Sequence, residues 1–180
     1  MSWKKLSSRS VYENDWMQVL EDHVINPGGG ENLYGHVHFK NRAVAIIALD
    51  QDDNVCLVGQ HRYTLNAWSW ELPMGGAPLD EDPVVAAKRE LKEETGLTAA
   101  QWTEVMRLHP SNSITDEIGI VYLAEGLTAG EPEFEETEDL EIRKLPLQDA
   151  VALASNGEIT DAISVAALLR IAAIKRSSSL

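Results

Sequence analysis

The sequence has a single cysteine, Cys56, among 180 residues, so an intramolecular disulfide is excluded. It has no run of 18 apolar residues, so we expect no membrane-spanning helix. The N-terminal stretch MSWKKLSSRSVYENDW has no apolar core behind its lysines, which argues against a secretory signal. Basic residues are scarce, 15 against 29 acidic ones, and the net charge of −14 opposes binding to nucleic acid or anionic membrane. These absences favour a cytoplasmic protein.

The composition is that of an ordinary globular domain, with 44% hydrophobic residues and a mean hydropathy of −0.21. Cys56 lies in the apolar run VCLVG, which favours a buried, inert thiol over a nucleophile. The acidic surplus is concentrated at residues 80–94 and 131–141. Composition alone favours solvated acidic surfaces at both places, although divalent metal ions would also explain the clustering.

The pattern of apolar residues predicts a mixture of strands and helices. We predict strands at 16–25 and 34–39, joined by the turn NPGGGEN, and a hairpin made of RAVAIIALD and VCLVGQHR. Further strands are predicted near 102–109, 117–125 and 140–146, and two helices close the chain. This order favours an α/β or α+β sandwich, and the absence of G-x-G-x-x-G after a strand argues against a dinucleotide-binding sheet.

The stretch GGAPLDEDPVVAAKRELKEETGL, residues 75–97, predicts a well-bounded helix over 82–95. Asp82 suits the N-cap, Pro83 suits the first helical position, and Gly96 suits the C-terminal stop. We therefore expect the positions of the helix side chains to be fixed, because both ends are locally specified.

Three carboxylates share one face of this helix. At roughly 100° per residue, Glu93 and Glu94 fall about 60° and 40° on either side of Glu90, while Lys88 and Lys92 point away. Carboxylates this close repel one another unless a cation lies between them. Magnesium is usually held by one or two carboxylates together with water and substrate phosphate, so the patch predicts a metal site.

The spacing within residues 75–97 resembles the Nudix signature, G-x5-E-x7-R-E-U-x-E-E-x-G-U, where U is a bulky aliphatic residue. All nine fixed positions agree: Gly75, Glu81, Arg89, Glu90, Leu91, Glu93, Glu94, Gly96 and Leu97. The resemblance implies an α+β fold, namely an α/β/α Nudix sandwich with a mixed β-sheet. It also implies hydrolysis of a nucleoside diphosphate linked to another group, with Mg²⁺ or Mn²⁺ as cofactor.

The resemblance implies a role for each residue of the signature. Glu90 and Glu94 correspond to the main metal ligands, Glu93 assists them, and Arg89 holds the carboxylates by ion pairing. Glu81 orients the loop and Arg89. Gly75 permits a tight turn, and the carbonyl of the preceding Met74 reaches the metal. Alone, Arg89 would be read as an ordinary helix ion pair with Glu93.

Two other stretches indicate which Nudix subfamily the chain resembles. GQHRYTLNAWSWELPMGG and LHPSNSITDEIGIVYLAEGL resemble segments of the ADP-ribose and nucleoside diphosphate sugar pyrophosphatases. By that resemblance Arg62 contacts a phosphate or the terminal sugar, and Glu117 bonds a sugar hydroxyl. Trp68 is a candidate for stacking on the base, although a core position is at least as common for tryptophan. Their alternatives are a surface salt bridge for Arg62 and a solvent-facing strand position for Glu117.

The acidic loop 129–139 is expected to take part in the chemistry. Metal binding lowers the pKa of water, and a carboxylate then accepts the proton. The resemblance favours Glu136 as this base and Glu138 as a further metal ligand, while Glu133 and Glu135 remain open for either role. A solvated acidic loop is the alternative.

One departure bears on specificity, and it concerns Asn112 in SNSITDE, where many ADP-ribose pyrophosphatases have proline. The glycine that is usual there is also missing. This departure argues against exclusive specificity for ADP-ribose. Other nucleoside diphosphate sugars, such as GDP-mannose, remain candidate substrates. Alternatives of other classes are a nucleoside triphosphate pyrophosphatase and a noncatalytic, ADP-ribose-sensing Nudix module.

The domain prediction is an N-terminal antiparallel β-extension over residues 1–40 and a Nudix hydrolase domain over residues 41–180. The extension resembles the extra sheet through which relatives dimerise, and relatives complete each active site with residues of the partner subunit. The expected partners are therefore a nucleoside diphosphate sugar and a second copy of the chain, with neither nucleic acid nor membrane.

Overall fold

The computed structural model describes residues 2–134 and 139–178, which contain ten strands and three helices. The strands are β1 (Lys4–Glu13), β2 (Met17–Ile25), β3 (Glu31–Phe39), β4 (Asn41–Ala48), β5 (Asn54–Arg62), β6 (Ala67–Glu71), β7 (Met74–Pro78), β8 (Thr98–Leu108), β9 (Gly119–Thr128) and β10 (Glu141–Pro146). The helices are α1 (Pro83–Thr95), α2 (Leu147–Asn156) and α3 (Ala162–Ser178). None of these helices has the length and apolarity needed to cross a membrane.

The central sheet has the order β7-β4-β9-β8 and is mixed, since β4 runs parallel to β9 and antiparallel to β7. Successive side chains of β4 point to opposite faces. Val44 and Ile46 pack in one buried cluster with α1, whereas Ala45 and Ile47 pack in another with α2 and α3. Helices thus cover both faces of the sheet, which confirms the predicted α+β fold and its α/β/α sandwich.

The predicted hairpin of RAVAIIALD and VCLVGQHR is wrong. The two runs become β4 and β5, which lie in different sheets and meet at an isolated bridge between Leu49 and Val55. β5 instead pairs with β6 and β10. Both runs are continuously apolar, and such strands are buried on both faces in the interior of a sheet. The polar turn correctly marked a chain reversal, but it did not determine which strands pair.

The N-terminal residues form a separate antiparallel sheet, β1-β2-β3. β2 and β3 are joined by the predicted NPGGGEN turn, in which Gly29 has a φ of 92°. The sequence did not predict a strand at Lys4–Glu13. All ten of its residues are exposed, so it lacks the alternation of buried and exposed residues by which a strand is recognised.

The helix ends follow their local signals. The Asp82 carboxylate accepts a hydrogen bond from the Val84 amide, and Gly96 ends α1 with a φ of 71°, as predicted. At the start of α3, the Asp161 carboxylate accepts a hydrogen bond from the Ser164 amide at 2.7 Å. The Ser164 hydroxyl in turn accepts one from the Leu72 amide at 2.9 Å, which ties α3 to the chain just before β7.

Candidate active site

The Glu90 carboxylate lies directly against the backbone of β7. A Cβ atom at Gly75 would overlap all three atoms of the Glu90 carboxyl group. Gly75 lies within a strand rather than in the tight turn that we expected, and its φ is not positive. The glycine is therefore needed because the α1 carboxylate approaches the strand closely, not because of a special backbone conformation.

Glu94 is held beside the same strand. It is only 3% exposed, and its carboxylate accepts a hydrogen bond from the Met74 amide at 2.9 Å. The peptide bond between Met74 and Gly75 therefore lies beside both Glu94 and Glu90. This arrangement brings together three of the four predicted metal-binding residues.

Arg89 links the remaining parts of the signature. Its Nη1 is 2.7 Å from a Glu90 oxygen and donates to Glu93 at 3.1 Å, while its Nη2 donates to the Gly76 carbonyl at 3.1 Å. The guanidinium thus offsets two carboxylates of α1 and also bonds the strand that they face. This contact pattern is consistent with the supporting role predicted for Arg89.

The ligands present suit a hard divalent cation. Glu90 and Glu94 supply carboxylate oxygens one helical turn apart, beside the backbone of β7. Within residues 2–134 and 139–178, no three acidic, histidine or cysteine side chains converge on one point. Magnesium rarely needs such a cage, since water and substrate phosphate complete its coordination. A divalent ion therefore fits at Glu90 and Glu94, with open positions for substrate.

The loop before α1 is organised by Arg42, a residue that no sequence pattern had marked. Its Nη2 donates to the carbonyls of Pro78, Leu79 and Glu81 at 2.7–2.9 Å. Glu81 thus contacts Arg42 through its backbone carbonyl. Among the described residues, the Glu81 side chain forms no ion pair with Arg89. The predicted orienting role of the Glu81 side chain stays a prediction.

Arg62 is clamped by Glu71, a residue to which the sequence analysis assigned no role. Nε of Arg62 donates to one Glu71 oxygen at 2.9 Å and Nη2 donates to the other. The pKa of Arg62 is raised, chiefly by these hydrogen bonds, and nearby negative charge on Asp161 and Glu94 adds to the effect. The charge of Glu94 on α1 thus reaches Arg62, and Glu71 fixes the orientation of its guanidinium.

Replacing Arg62 with methionine is expected to destabilise the fold by about 3–5 kcal/mol, because Glu71 would be left as a buried, unpaired carboxylate. Glu71 is only 3% exposed. The double variant Arg62→Met, Glu71→Leu is expected to regain most of that loss, since an apolar pair can replace a buried ion pair. Urea denaturation of the three proteins measures both effects. A loss below about 1 kcal/mol in the single variant would show that water reaches Glu71.

Glu117 precedes β9 and is half-buried. Burial raises its pKa, and the charge of Asp161 raises it further. The charge of Asp161, next to the start of α3, also raises the pKa of Arg62. Two of the three predicted substrate-binding residues, Arg62 and Glu117, therefore lie within reach of the same negative charge.

Glu117→Gln is expected to raise the thermal midpoint at pH 8. A carboxyl with a raised folded pKa contributes stability that is fully present below its unfolded pKa, about 4.3, and is lost as the pH rises through the folded value. The advantage of the variant should therefore vanish as the pH falls to about 4. Glu104→Gln should show the opposite sign, since hydrogen bonds from Arg107 lower the pKa of Glu104. Melting curves at the two pH values test both.

The side chain of Trp68 does not lie beside those of Arg62 and Glu117 within the chain. It is 47% exposed and lies in β6, where alternation places it on the opposite face from Glu71. Its ring packs edge-on against Trp70 at 6.0 Å, and both rings lie over Gly59. Its predicted stacking on a base stays a prediction.

Cys56 is buried as expected. Burial raises the pKa of its thiol to about 12, and the nearby charge of Glu94 adds to this. A thiol that stays protonated at neutral pH is a poor nucleophile, so Cys56 has no role in the chemistry.

The acidic loop starts close to α1. Gly130 lies against Gly96 at the end of α1, and the Glu133 amide donates to the Glu93 carbonyl at 2.8 Å. The Glu133 carboxylate pairs with Lys92 at 2.7 Å, on the side of α1 away from Glu90. Of the loop glutamates predicted as base or ligand, Glu135, Glu136 and Glu138 lie outside the described residues.

The chain is similar to known proteins over nearly its whole length. Residues 39–168 match the NUDIX domain, and residues 3–37 match the nucleoside diphosphate sugar hydrolase N-terminal domain. An ADP-ribose pyrophosphatase of Mycobacterium tuberculosis is 35% identical, covering 96% of this chain and 84% of that protein. One of Bacillus subtilis is 36% identical, covering 88% and 86%. The crystal structure of an ADP compounds hydrolase superposes with a TM-score of 0.88 at 22% identity, covering 99% of this chain and 96% of that one.

Proposed function

The chain belongs to the Nudix hydrolase family, and from that premise we propose that it cleaves the pyrophosphate bond of nucleoside diphosphate sugars. ADP-ribose is the first substrate to consider, and the products are a nucleoside monophosphate and a sugar phosphate. The observation that supports this most strongly is the seating of the Glu90 and Glu94 carboxylates on β7 at Gly75 and Met74, with Arg62 nearby. The proposal is also supported by the full-length relatives named ADP-ribose pyrophosphatase.

The metal-binding and catalytic roles are proposed for residues of β7, α1 and the acidic loop. Glu90, Glu94 and the Met74 carbonyl hold the divalent ion, for which we propose Mg²⁺ or Mn²⁺, and Arg89 keeps Glu90 and Glu93 in place. When bound, the ion neutralises phosphate charge and lowers the pKa of water. Glu138 is proposed as a further ligand and Glu136 as the base that takes the proton from water.

Substrate binding is assigned to Arg62, Glu117 and Trp68. Glu71 engages Nε and one N–H of Nη2 of Arg62, so the two N–H groups of Nη1 and the second one of Nη2 can donate to a phosphate oxygen. Glu117 accepts a hydrogen bond from a sugar hydroxyl. The exposed ring of Trp68 is proposed to stack on the base, and since it lies on the opposite face of β6 from Glu71 it would do so in the site of the second subunit.

Two rival functions are less well supported. A triphosphate pyrophosphatase would share the α1 carboxylates, but the WELP and SITDE stretches resemble the nucleoside diphosphate sugar pyrophosphatases instead. A noncatalytic sensor of ADP-ribose would have no need for the complete set Glu90, Glu93 and Glu94. The intact carboxylates therefore favour an enzyme.

The proposal is tested by measuring product release from ADP-ribose, GDP-mannose, UDP-glucose and nucleoside triphosphates, with Mg²⁺ and after chelation by EDTA. We expect metal-dependent cleavage of the sugars, with ADP-ribose among the good substrates. Turnover restricted to triphosphates would support the first rival. Absence of turnover together with ADP-ribose binding would support the sensor.

The working form is proposed to be a homodimer joined through the N-terminal sheet. Six large apolar side chains between residues 3 and 33 are exposed, namely Trp3, Leu6, Val11, Tyr12, Trp16 and Leu33. Apolar side chains gathered on one sheet favour an interface over a free surface. Sedimentation equilibrium should give twice the 19.9 kDa mass of the chain. A single-chain mass at micromolar concentration would refute the dimer.

A further inference from the structure

The segment between β8 and β9 is held in place from outside by β3. We call residues 111–117 the 111–117 loop; it includes Asn112, where the sequence departs from its relatives, and ends with Glu117. Inside the loop, the amides of Ile114 and Thr115 donate to the Ser111 carbonyl, which closes a turn. These bonds shape the loop but do not fix its position on the protein.

Five contacts with β3 do fix that position. The Val37 amide donates to the Ile114 carbonyl at 2.8 Å, and the Asp116 amide donates to the Val37 carbonyl at 3.3 Å. The Tyr34 hydroxyl donates to the Ser113 carbonyl at 2.6 Å. The remaining two contacts are made by the Asp116 side chain.

The Asp116 carboxylate bonds β3 with both of its oxygens. One accepts a hydrogen bond from the Phe39 amide at 2.9 Å, and the other lies 2.5 Å from Nδ1 of His38. Partial burial raises the pKa of Asp116, but the hydrogen bonds from His38 and Phe39 outweigh this effect and lower it. The carboxylate is thus stabilised in its charged form, in which it can accept both bonds.

Among the described residues, β3 supplies every hydrogen bond that residues 112–116 receive from or give to another part of the chain. His109 bonds the backbone carbonyl of the neighbouring Glu117, and burial together with the charge of Asp161 raises the pKa of the Glu117 carboxyl. Ordering a loop costs backbone entropy that is comparable with the net gain from a few hydrogen bonds. The order of this loop should therefore depend on each of these contacts.

We propose that β3 latches the 111–117 loop through Tyr34, His38 and Asp116, and so positions Glu117 for substrate binding. This inference rests on the proposed function. It gives the N-terminal sheet a second role within its own subunit, independent of dimerisation. Tyr34, His38 and Asp116 are positioning residues, because they act through Glu117 and not on the reacting atoms.

The expected consequence is a change in KM with little change in kcat. A loosened Glu117 weakens a contact made in both the ground state and the transition state, whereas the α1 carboxylates stay in place. A hydrogen bond contributes about 1 kcal/mol net, and the loss of that free energy changes an equilibrium constant about fivefold. We therefore expect the KM for ADP-ribose to rise about fivefold in Tyr34→Phe and about tenfold or more in Asp116→Ala. Asp116→Asn keeps an oxygen for the Phe39 amide, so it should fall between wild type and Asp116→Ala.

Matched controls lie on the same sheet. His23→Gln and Glu31→Gln each remove one partner of the contact between His23 and Glu31, 2.9 Å apart, which does not involve the 111–117 loop. Both controls should leave KM unchanged. Hydrogen–deuterium exchange of the amides at 112–117 should become faster in the latch variants and stay at the wild-type rate in the controls.

The outcomes separate this proposal from the proposed function. If wild type cleaves ADP-ribose but Asp116→Ala loosens the loop without raising KM, the positioning role of the latch is refuted. Unchanged exchange in Asp116→Ala would refute the latch itself. If wild type cleaves no nucleoside diphosphate sugar, the proposed function fails, and the exchange rates still decide whether β3 orders the loop.

Discussion

Glu94→Gln is expected to lower kcat for ADP-ribose at least about 10³-fold while leaving the protein folded. A bound metal contributes several kcal/mol of charge stabilisation, and each 1.4 kcal/mol is about tenfold in rate. Glutamine keeps an oxygen that can accept the Met74 amide bond, so the local structure should be retained. Steady-state kinetics with Mg²⁺, together with a melting curve, measures the two effects separately.

Glu104→Gln is the control for this experiment, since Glu104 lies on β8 and pairs with Arg107 rather than with a residue of α1. It should retain the kcat of wild type. If Glu94→Gln kept more than about a tenth of the activity, the buried carboxylate would serve the fold and not the chemistry.

Gly75→Ala is expected to lower kcat about 10²-fold, because misplacement of a catalytic group by about 1 Å can have that effect. The added methyl group would occupy the position of the Glu90 carboxylate and displace it. The atoms displaced are the far end of a flexible side chain, so the melting temperature should change little. Loss of activity without loss of stability is the distinguishing result.

The adjacent glycine provides a closely matched control. A Cβ at Gly76 would meet only Asn41, at ordinary contact distances of 3.8–3.9 Å. Gly76→Ala should therefore be nearly as active as wild type. Equal losses in both variants would mean that the backbone of β7, rather than the position of Glu90, is what matters.

The parts of the site that could be predicted from sequence are those set by short-range rules. Asp82, Pro83 and Gly96 bound α1 through local capping, and helix geometry then places Glu90 and Glu94 on one face. The reason for the glycine at position 75 was not predictable, because it depends on a side chain 15 residues later that packs against a strand.

The parts that were missed depend on how strands pair and on which loops they meet. Glu71 is recognisable as the partner of Arg62 only once both strands lie in one sheet, and Arg42 reaches carbonyls nearly 40 residues away. Likewise, no local signal separates β4 from β5 into different sheets, since pairing of buried strands is decided by the whole core. The latch between β3 and the 111–117 loop belongs to the same class of long-range contact.

The most direct test of the central claim is to follow ADP-ribose by ³¹P NMR with wild-type protein and Mg²⁺. The account predicts that the diphosphate signals are replaced by two monophosphate signals of equal intensity, those of AMP and ribose 5-phosphate, and that EDTA stops the reaction. Persistence of the diphosphate signals in the presence of metal would contradict it, and so would release of inorganic phosphate as the initial product.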